Sequence, residues 1–517
     1  MSHEAADTRR RSSAGAFWIV AFGVFVAADD LMVVSTMLRP IVDDLGLILP
    51  DDLDSTAWIV NVYLIAYIAA MPLAGRLSDI YGRRSVFVSS LALFAIGSLV
   101  VPSTDSFAVL LVGRALSAVG GGALVPIALA VAGDLHTGAK RSRAIGTLGA
   151  IETLGWVWGP LYGAILVRFL TWQWQFYLNI PLALIGIVLG WKLIDPTSRS
   201  DGTIDWAGAG LLTTGLVALN VALLGQAKIQ SVTGLDQLTG GGGSPWWTGP
   251  WLYGVAAVAF AWFAKVERQL VRTGTAYPIV GVGVLRGRTP VGAMLVNGLV
   301  GVGLVIALVN VPLFINIAEN SSGIRSTAML AGILLTALTA TMAFTSYIGG
   351  LLSGQYGNPL PTILGILIGI VGFGLLGLTW SEDTDHVLMA FELAIVGAGI
   401  GLVLTPTSAA VVDAATEDER GSAAGLVIVF RLIGFSVGLA ALTAWGLHRY
   451  SELRAELELP PLGSPGYSDA VSAAAVDITT TALSETFIGA GIALIAALAI
   501  AVIVARSPSE TTQSTAE

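Results

Sequence analysis

Six ionisable side chains fall inside long apolar stretches of this chain: Asp29, Asp30, Arg114, Glu152, Glu392 and Arg431. Ionisable groups at membrane depth are costly, and they usually face a cavity or one another. A carboxylate beside an arginine can alternate between ion pair and neutral acid, because the cation favours the charged form. Proton coupling needs that chemistry. At 1.5 Å per helical residue, Asp30 and Arg114 lie roughly 13 and 10 Å from the same edge of the apolar layer. They are placed to meet, with Asp30 the expected proton carrier. A fixed ion pair between two helices is the plainer alternative, and Asp29 is the other candidate. Glu152 and Arg431 enter from the opposite edge to roughly 12–15 Å. They are expected either to pair with each other as an ion lock or to find separate partners nearby. Glu392 has no evident partner and is expected to be a cavity charge, or to bond to the outer loop beside it.

The elements that position these residues are membrane helices. The chain has 517 residues, of which 55% are hydrophobic and 12% charged, and it contains 62 glycines. That composition excludes a soluble globular protein. Fourteen apolar runs are long enough to cross a bilayer, from Ala16–Leu38 to Ser484–Arg506. Of the 26 lysines and arginines, 18 fall on the side of the N-terminus and 6 on the other. The expected location is therefore the cytoplasmic (inner) membrane, multi-pass, with both termini cytoplasmic. The first apolar run lacks a small-residue cleavage pattern and reads as a retained helix. With no cysteine and four scattered histidines, the chain offers no thiolate nucleophile and no metal-ligand cluster. No phosphate-binding glycine loop precedes a helix. Neither a catalytic residue nor a metal site is expected, and the only energy source required is the proton-motive force, with no cofactor.

The two halves repeat. Gly75 to Gly82 returns as Gly350 to Gly357, 275 residues on, keeping its Gly, Leu, Ser and Tyr-Gly but losing Asp79 and Arg83. Asp134, Glu152, Gly155 and Gly159 stand 279 residues before Asp413, Arg431, Gly434 and Gly438. A six-helix repeat at this spacing implies two bundles around a central site, in which the repeat mates Glu152 and Arg431 would face each other. The expected organisation is a cytoplasmic tail (1–15), an N-terminal six-helix bundle (16–195) and two linker transmembrane helices (196–270). A C-terminal six-helix bundle (271–506) and a second tail (507–517) follow. In the C-terminal bundle helix 13 has no breaker from Gly421 to Leu459, before Pro460-Pro461. That is about 58 Å of helix, which predicts an external helical extension over 446–483.

The stretch Gly75-Arg76-Leu77-Ser78-Asp79-Ile80-Tyr81-Gly82-Arg83-Arg84 resembles the cytoplasmic signature of the major facilitator superfamily. The resemblance implies a conformational latch built on Gly75, Asp79, Gly82, Arg83 and Arg84, with Asp79 facing the start of helix 13 near Gly421 and Ser422. The two extra central helices resemble the fourteen-helix drug:proton antiporter branch, as does the lead-in Pro278 followed by Leu285-Arg286-Gly287-Arg288-Thr289. Gly155, Gly159, Pro160 and Gly163 resemble its antiporter signature, with Ala164 in place of the final glycine. Asp30 with Val33-Val34 and Leu38 resembles its helix 1 motif, whose aspartate is linked to proton coupling; the motif's proline falls at Arg39. Trp58-Ile59-Val60, Tyr67 to Leu73, Gly159 to Gly163, Val309-Asn310-Val311 and Ala444 to Leu447 look like the mycobacterial lipid exporters of that branch. Those exporters carry an arginine on helix 13 and a helix 5 carboxylate, which falls at this chain's Thr153.

Taken together, the resemblance implies a proton-coupled, alternating-access exporter of triacylglycerides or related lipids, working as a monomer and with a periplasmic lipoprotein partner. The alternative is a multidrug efflux drug:proton antiporter. A membrane enzyme lacks its catalytic cluster, and a transporter-like sensor would have no need of Asp30 and Arg114. No nucleic acid is expected as a partner. Trp156, Trp158 and Tyr162 are expected either to line a hydrophobic cavity or to face lipid.

Overall fold

Long apolar runs leave the backbone no partner but itself, and the chain answers with helices. The structure is a computed structural model that describes residues 2–45, 53–196, 204–226, 249–273, 279, 287–318, 324–381, 383–456 and 467–506. Fourteen α-helices lie among them. These are α1 (Ser2–Asp44), α2 (Leu53–Tyr81), α3 (Arg83–Val100), α4 (Phe107–Leu135), α5 (Gly138–Phe169), α6 (Gln173–Leu193) and α7 (Trp206–Gln226). They continue as α8 (Trp251–Thr273), α9 (Arg288–Ala318), α10 (Ile324–Tyr356), α11 (Pro359–Thr379), α12 (His386–Ala414), α13 (Arg420–Ala455) and α14 (Tyr467–Arg506). Twelve are long and apolar enough to cross a membrane; α5 and α8 are the two that fall outside that group. Even so, α5 packs along α1 on one side and α10 on the other.

The repeat read from the sequence governs the packing. In the first half α1 packs on α4, α5 and α6, α2 on α4, and α3 on α4 and α6. In the second half α9 packs on α12, α13 and α14, α10 on α12, and α11 on α12 and α14. The halves meet along two equivalent seams, α2 against α13 and α10 against α5. The extra pair α7–α8 leans on one seam only, where α7 touches both α2 and α13. There Ser436 Oγ donates to Asn220 Oδ1 at 2.5 Å, tying α7 to the second bundle.

Glycine lets the seams close. A Cβ on Gly75 would lie 2.2 Å from the carbonyl oxygen of Gly421, and one on Gly350 would lie 2.6 Å from that of Ser142. The turns between α2 and α3 and between α10 and α11 use Gly82 (φ 89°) and Gly357 (φ 80°). Both occupy positive-φ backbone, which glycine adopts without a steric penalty. This explains why the glycine survives in the second half although Asp79 and Arg83 do not.

Three expectations change in detail. The helix of α1 already begins at Ser2, because nothing before Gly15 breaks it, so the segment expected as a tail continues the helix. The apolar part of α13 ends at Leu442 while the helix continues to Ala455. The amphipathic piece expected over Asp469–Leu483 is the first part of an unbroken α14, whose apolar portion starts at Val476. Arg449, on the part of α13 beyond its apolar span, pairs at 2.9 Å with Glu485, which lies inside the apolar portion of α14. Pro460-Pro461, residues 227–248 between the two linker helices, Pro278, Leu285-Arg286 and the tail 507–517 lie outside the described residues.

Gly75→Ala should push α2 from α13 and lower the melting temperature of purified protein, at a cost of about 1–3 kcal/mol. Gly374→Ala, whose added methyl meets nothing within 4 Å, should leave it unchanged or raise it, since alanine is the better helix former. Scanning fluorimetry on the two variants checks this.

Candidate functional site: paired charges within and between the bundles

The first charge cluster lies inside the N-terminal bundle, where α1, α2, α4 and α6 converge. Arg114 Nη1 on α4 donates to Asp30 Oδ2 at 3.1 Å, and the side chains are 1% and 0% exposed. Asn179 Nδ2 on α6 donates to the other carboxylate oxygen at 2.8 Å. One turn earlier, Gln175 Nε2 donates to Asp29 Oδ2 at 3.1 Å. The guanidinium of Arg114 sits 4.1 Å from the centre of the Tyr63 ring, an attractive cation–π contact. The antiporter-signature glycines help build this cluster. A Cβ on Gly155 would lie 2.7 Å from Ala28 Cβ, and one on Gly159 would lie 2.9 Å from the Asp29 carbonyl oxygen. Their absent side chains let α5 press on the backbone of α1 beside the two aspartates. Gly163 is buried on the same helix, and Pro160 lies within it. Gln175 and Asn179 were not singled out in the sequence; two amides at i and i+4 in an apolar helix were the available signal.

The second cluster sits at the seam. Arg431 Nη1 on α13 and Glu152 Oε2 on α5 are 3.4 Å apart, both largely buried, and they join the two bundles. They line a small cavity of about 20 Å³ with Val24, Val125, Leu404 and Ser408. One helical turn further along each helix, Trp156 and Phe435 meet edge-to-face with ring centres 6.2 Å apart. Trp156 is therefore a buried interbundle contact, whereas Trp158, 46% exposed, stacks on Tyr162.

The third cluster closes the end of the molecule at which α2 turns into α3, here the basic end. Asp79 accepts hydrogen bonds from the backbone N–H groups of Gly421 (3.0 Å) and Ser422 (3.1 Å), in the first turn of α13. Those N–H groups have no partner within the helix, and the helix dipole adds to the attraction for the carboxylate. Arg83 pairs with Asp79 and, at 3.0 Å, with Asp134. Asp134 also takes Arg420 from the other bundle at 3.0 Å. Arg141 takes Asp413 at 2.6 Å. Arg420 and Asp413 are the repeat mates of Arg141 and Asp134 (offset 279), so each half offers an arginine to the other half's aspartate. The offset is visible in the sequence, but the crossed pairing it produces depends on how the two halves meet.

Two site residues stand apart from their expected places. Arg84 does not join the latch; its guanidinium lies 4.6 Å from the ring of Trp191 on α6, inside its own bundle. An arginine one residue past Arg83 projects about 100° away around α3. Glu392 is not a cavity charge either. It is 2% exposed within the C-terminal bundle, bonded to Thr379 Oγ1 (2.9 Å) and Trp380 Nε1 (3.0 Å) at the end of α11. Trp380 is held in turn between Phe314 and Phe487.

Two six-helix bundles in a two-fold repeat, with charges paired across their seam, define a two-bundle membrane transporter. The chain belongs to the Major Facilitator Superfamily, whose sequence profile matches residues 20–439. It is 32% identical over 462 residues to a triacylglyceride transporter of Mycolicibacterium smegmatis, covering 86% of this chain and 78% of that protein. It is also 32% identical over 466 residues to a triacylglyceride transporter of Mycobacterium tuberculosis, covering 86% and 85%. Among solved structures, the proton:xylose symporter XylE superposes with a TM-score of 0.62 at 13% identity, covering 97% of both chains. The human organic anion transporter MFSD10 (TETRAN) does so with a TM-score of 0.60 at 14% identity, covering 95% of this chain and 99% of that one. At that identity these two share the fold alone.

Arg114→Leu should leave Asp30 buried without its cation and destabilise the protein by about 3–5 kcal/mol. Adding Asp30→Asn should recover most of that loss. Thermal melts of the two variants and the wild type check the pairing.

Proposed function

We propose that this chain is a proton-coupled exporter that carries triacylglycerides or similar amphiphilic lipids across the cytoplasmic membrane by alternating access. The observation that carries this reading is the buried Asp30–Arg114 pair, in a chain 32% identical over 86% of its length to a triacylglyceride transporter. Protonation of Asp30 releases Arg114, and its deprotonation restores the pair, so proton occupancy biases the packing of α1 against α4. Glu152 and Arg431 act as the lock between bundles, and Asp79 with Arg83 as the latch of the basic end. In this proposal the basic end is cytoplasmic, as the excess of lysine and arginine favours. Both termini lie there, α5 and α8 also cross the bilayer, and 16–195 and 271–506 move as bundles about their two seams. The α13 segment beyond Leu442 and the start of α14 extend from the opposite face, where a periplasmic lipoprotein would receive the lipid. The transporter works as a monomer, with no cofactor beyond the proton-motive force.

A lipid substrate is favoured over a cationic drug because the carboxylates of both buried pairs, one at the seam and one inside the N-terminal bundle, already have protein partners. Glu152 pairs with Arg431 and Asp30 with Arg114, leaving an apolar passenger little to leave unsatisfied.

Proteoliposomes with acid on the outer face and a labelled triacylglyceride test the reading. Lipid movement driven by the gradient, lost in Asp30→Asn, is the expected result. Transport of an ethidium-like cation without lipid movement would instead make the chain a multidrug antiporter.

A further inference from the structure

Two carboxylates stand side by side on α1, and only Asp30 has the guanidinium of Arg114. Asp30 has Arg114 on one oxygen and Asn179 on the other. Asp29 has one amide N–H, from Gln175, on Oδ2, while its Oδ1 is buried with no hydrogen-bond partner. The other atom of the same amide, Gln175 Oε1, is likewise buried and without a donor. Two acceptors therefore lack the same thing, a hydrogen. We infer that Asp29 is a second proton-binding site, distinct from the Asp30–Arg114 pair, and that it holds its proton as a neutral acid paired with the Gln175 amide.

The chemistry closes at both ends of that pair. A proton on Oδ1 makes Asp29 a donor to Gln175 Oε1, while Gln175 Nε2 continues to donate to Oδ2. An ionised Asp29 would leave a buried carboxylate oxygen bare, and burying an unpaired charge is far costlier than burying a neutral acid.

The surroundings supply no substitute for that proton. On its own helix the nearest charge is Asp30, a like charge that disfavours a second anion. From α4 comes Arg114, already engaged with Asp30. From α2 comes Tyr63, against Arg114, from α5 Tyr162 within electrostatic reach, and from α6 only the neutral Gln175 and Asn179; Tyr67, further along α2, neighbours Glu152 and Arg431 instead. Glu152, further along α5, is paired with Arg431. Among the described residues no cation pairs with Asp29. Its side of α1 faces the signature glycines Gly155 and Gly159, so a change in its charge would be felt where α5 packs on α1.

This inference deepens the proton-coupled reading, and its test needs no substrate. Infrared pH-difference spectroscopy of purified protein reads protonated carboxyl groups directly. The wild type should show a protonated carboxyl band at neutral pH that is lost on alkalinisation. Asp29→Asn, an isosteric amide that can also donate to Gln175, should fold, lack that band, and release one proton fewer per molecule. Gln175→Leu should keep the band and shift its frequency, because the acid loses its amide partner. A band that survives Asp29→Asn, its absence from the wild type, or an unshifted band in Gln175→Leu would overturn the inference. If the band behaves as stated but no gradient drives transport, the exporter reading fails and the proton at Asp29 stands.

Discussion

A buried charge needs a partner, and in this chain the search for partners crosses from one helix to another and from one half to the other. Arg114 could not lie 1% exposed on α4 without a carboxylate on α1. That pairing fixes the register of two helices that share no hydrogen bond in their backbones. Arg431 on α13 finds its carboxylate only in the other bundle, on α5. The first pair holds a bundle together. The second gives the two bundles a reason to close on each other, and the low dielectric around both makes each contact strong when formed and costly when half broken.

The repeat turns this constraint into a mechanism. With the second half packed as the first half is, an arginine of each half meets an aspartate of the other: Arg141 with Asp413, and Arg420 with Asp134. Asp79 has no mate in the second half, where Gly354 stands in its place. The basic end is therefore sealed by a symmetric pair of ion pairs and one asymmetric contact, Asp79 on the first turn of α13. The linker helix α7 adds to the asymmetry by leaning on the α2–α13 seam and leaving α5–α10 uncovered by it.

Much of this was legible in the sequence because it rests on spacing. Helical rise placed Asp30 and Arg114 at one depth, and the repeat offset paired Glu152 with Arg431 across the halves. The Asp79 contact came from resemblance, and it falls at Gly421 and Ser422 as that resemblance implied. What could not be read was azimuth. Spacing gives depth along a helix but not which neighbour a side chain faces, and the resemblance that implies Arg84 in the latch does not give it either, since Arg84 turns onto Trp191. For Glu392 the sequence leaves a cavity charge and a bond to the adjacent outer loop equally open, because its partners, Thr379 and Trp380, are neutral residues that carry no charge signal. Gln175 and Asn179 were passed over for the same reason. The buried Trp156–Phe435 contact depends on how the bundles meet, which a single helix pattern does not encode.

If Asp79 on the first turn of α13 holds the basic end shut, one distance between the bundles measures it. The chain contains no cysteine, so Tyr81→Cys and Glu417→Cys place spin labels on opposite bundles at exposed positions flanking the latch. Double electron–electron resonance should give a dominant short distance with Asp79 intact, and a shift of population to longer distances in Asp79→Asn. A single distance distribution, unchanged by that substitution, would contradict the claim.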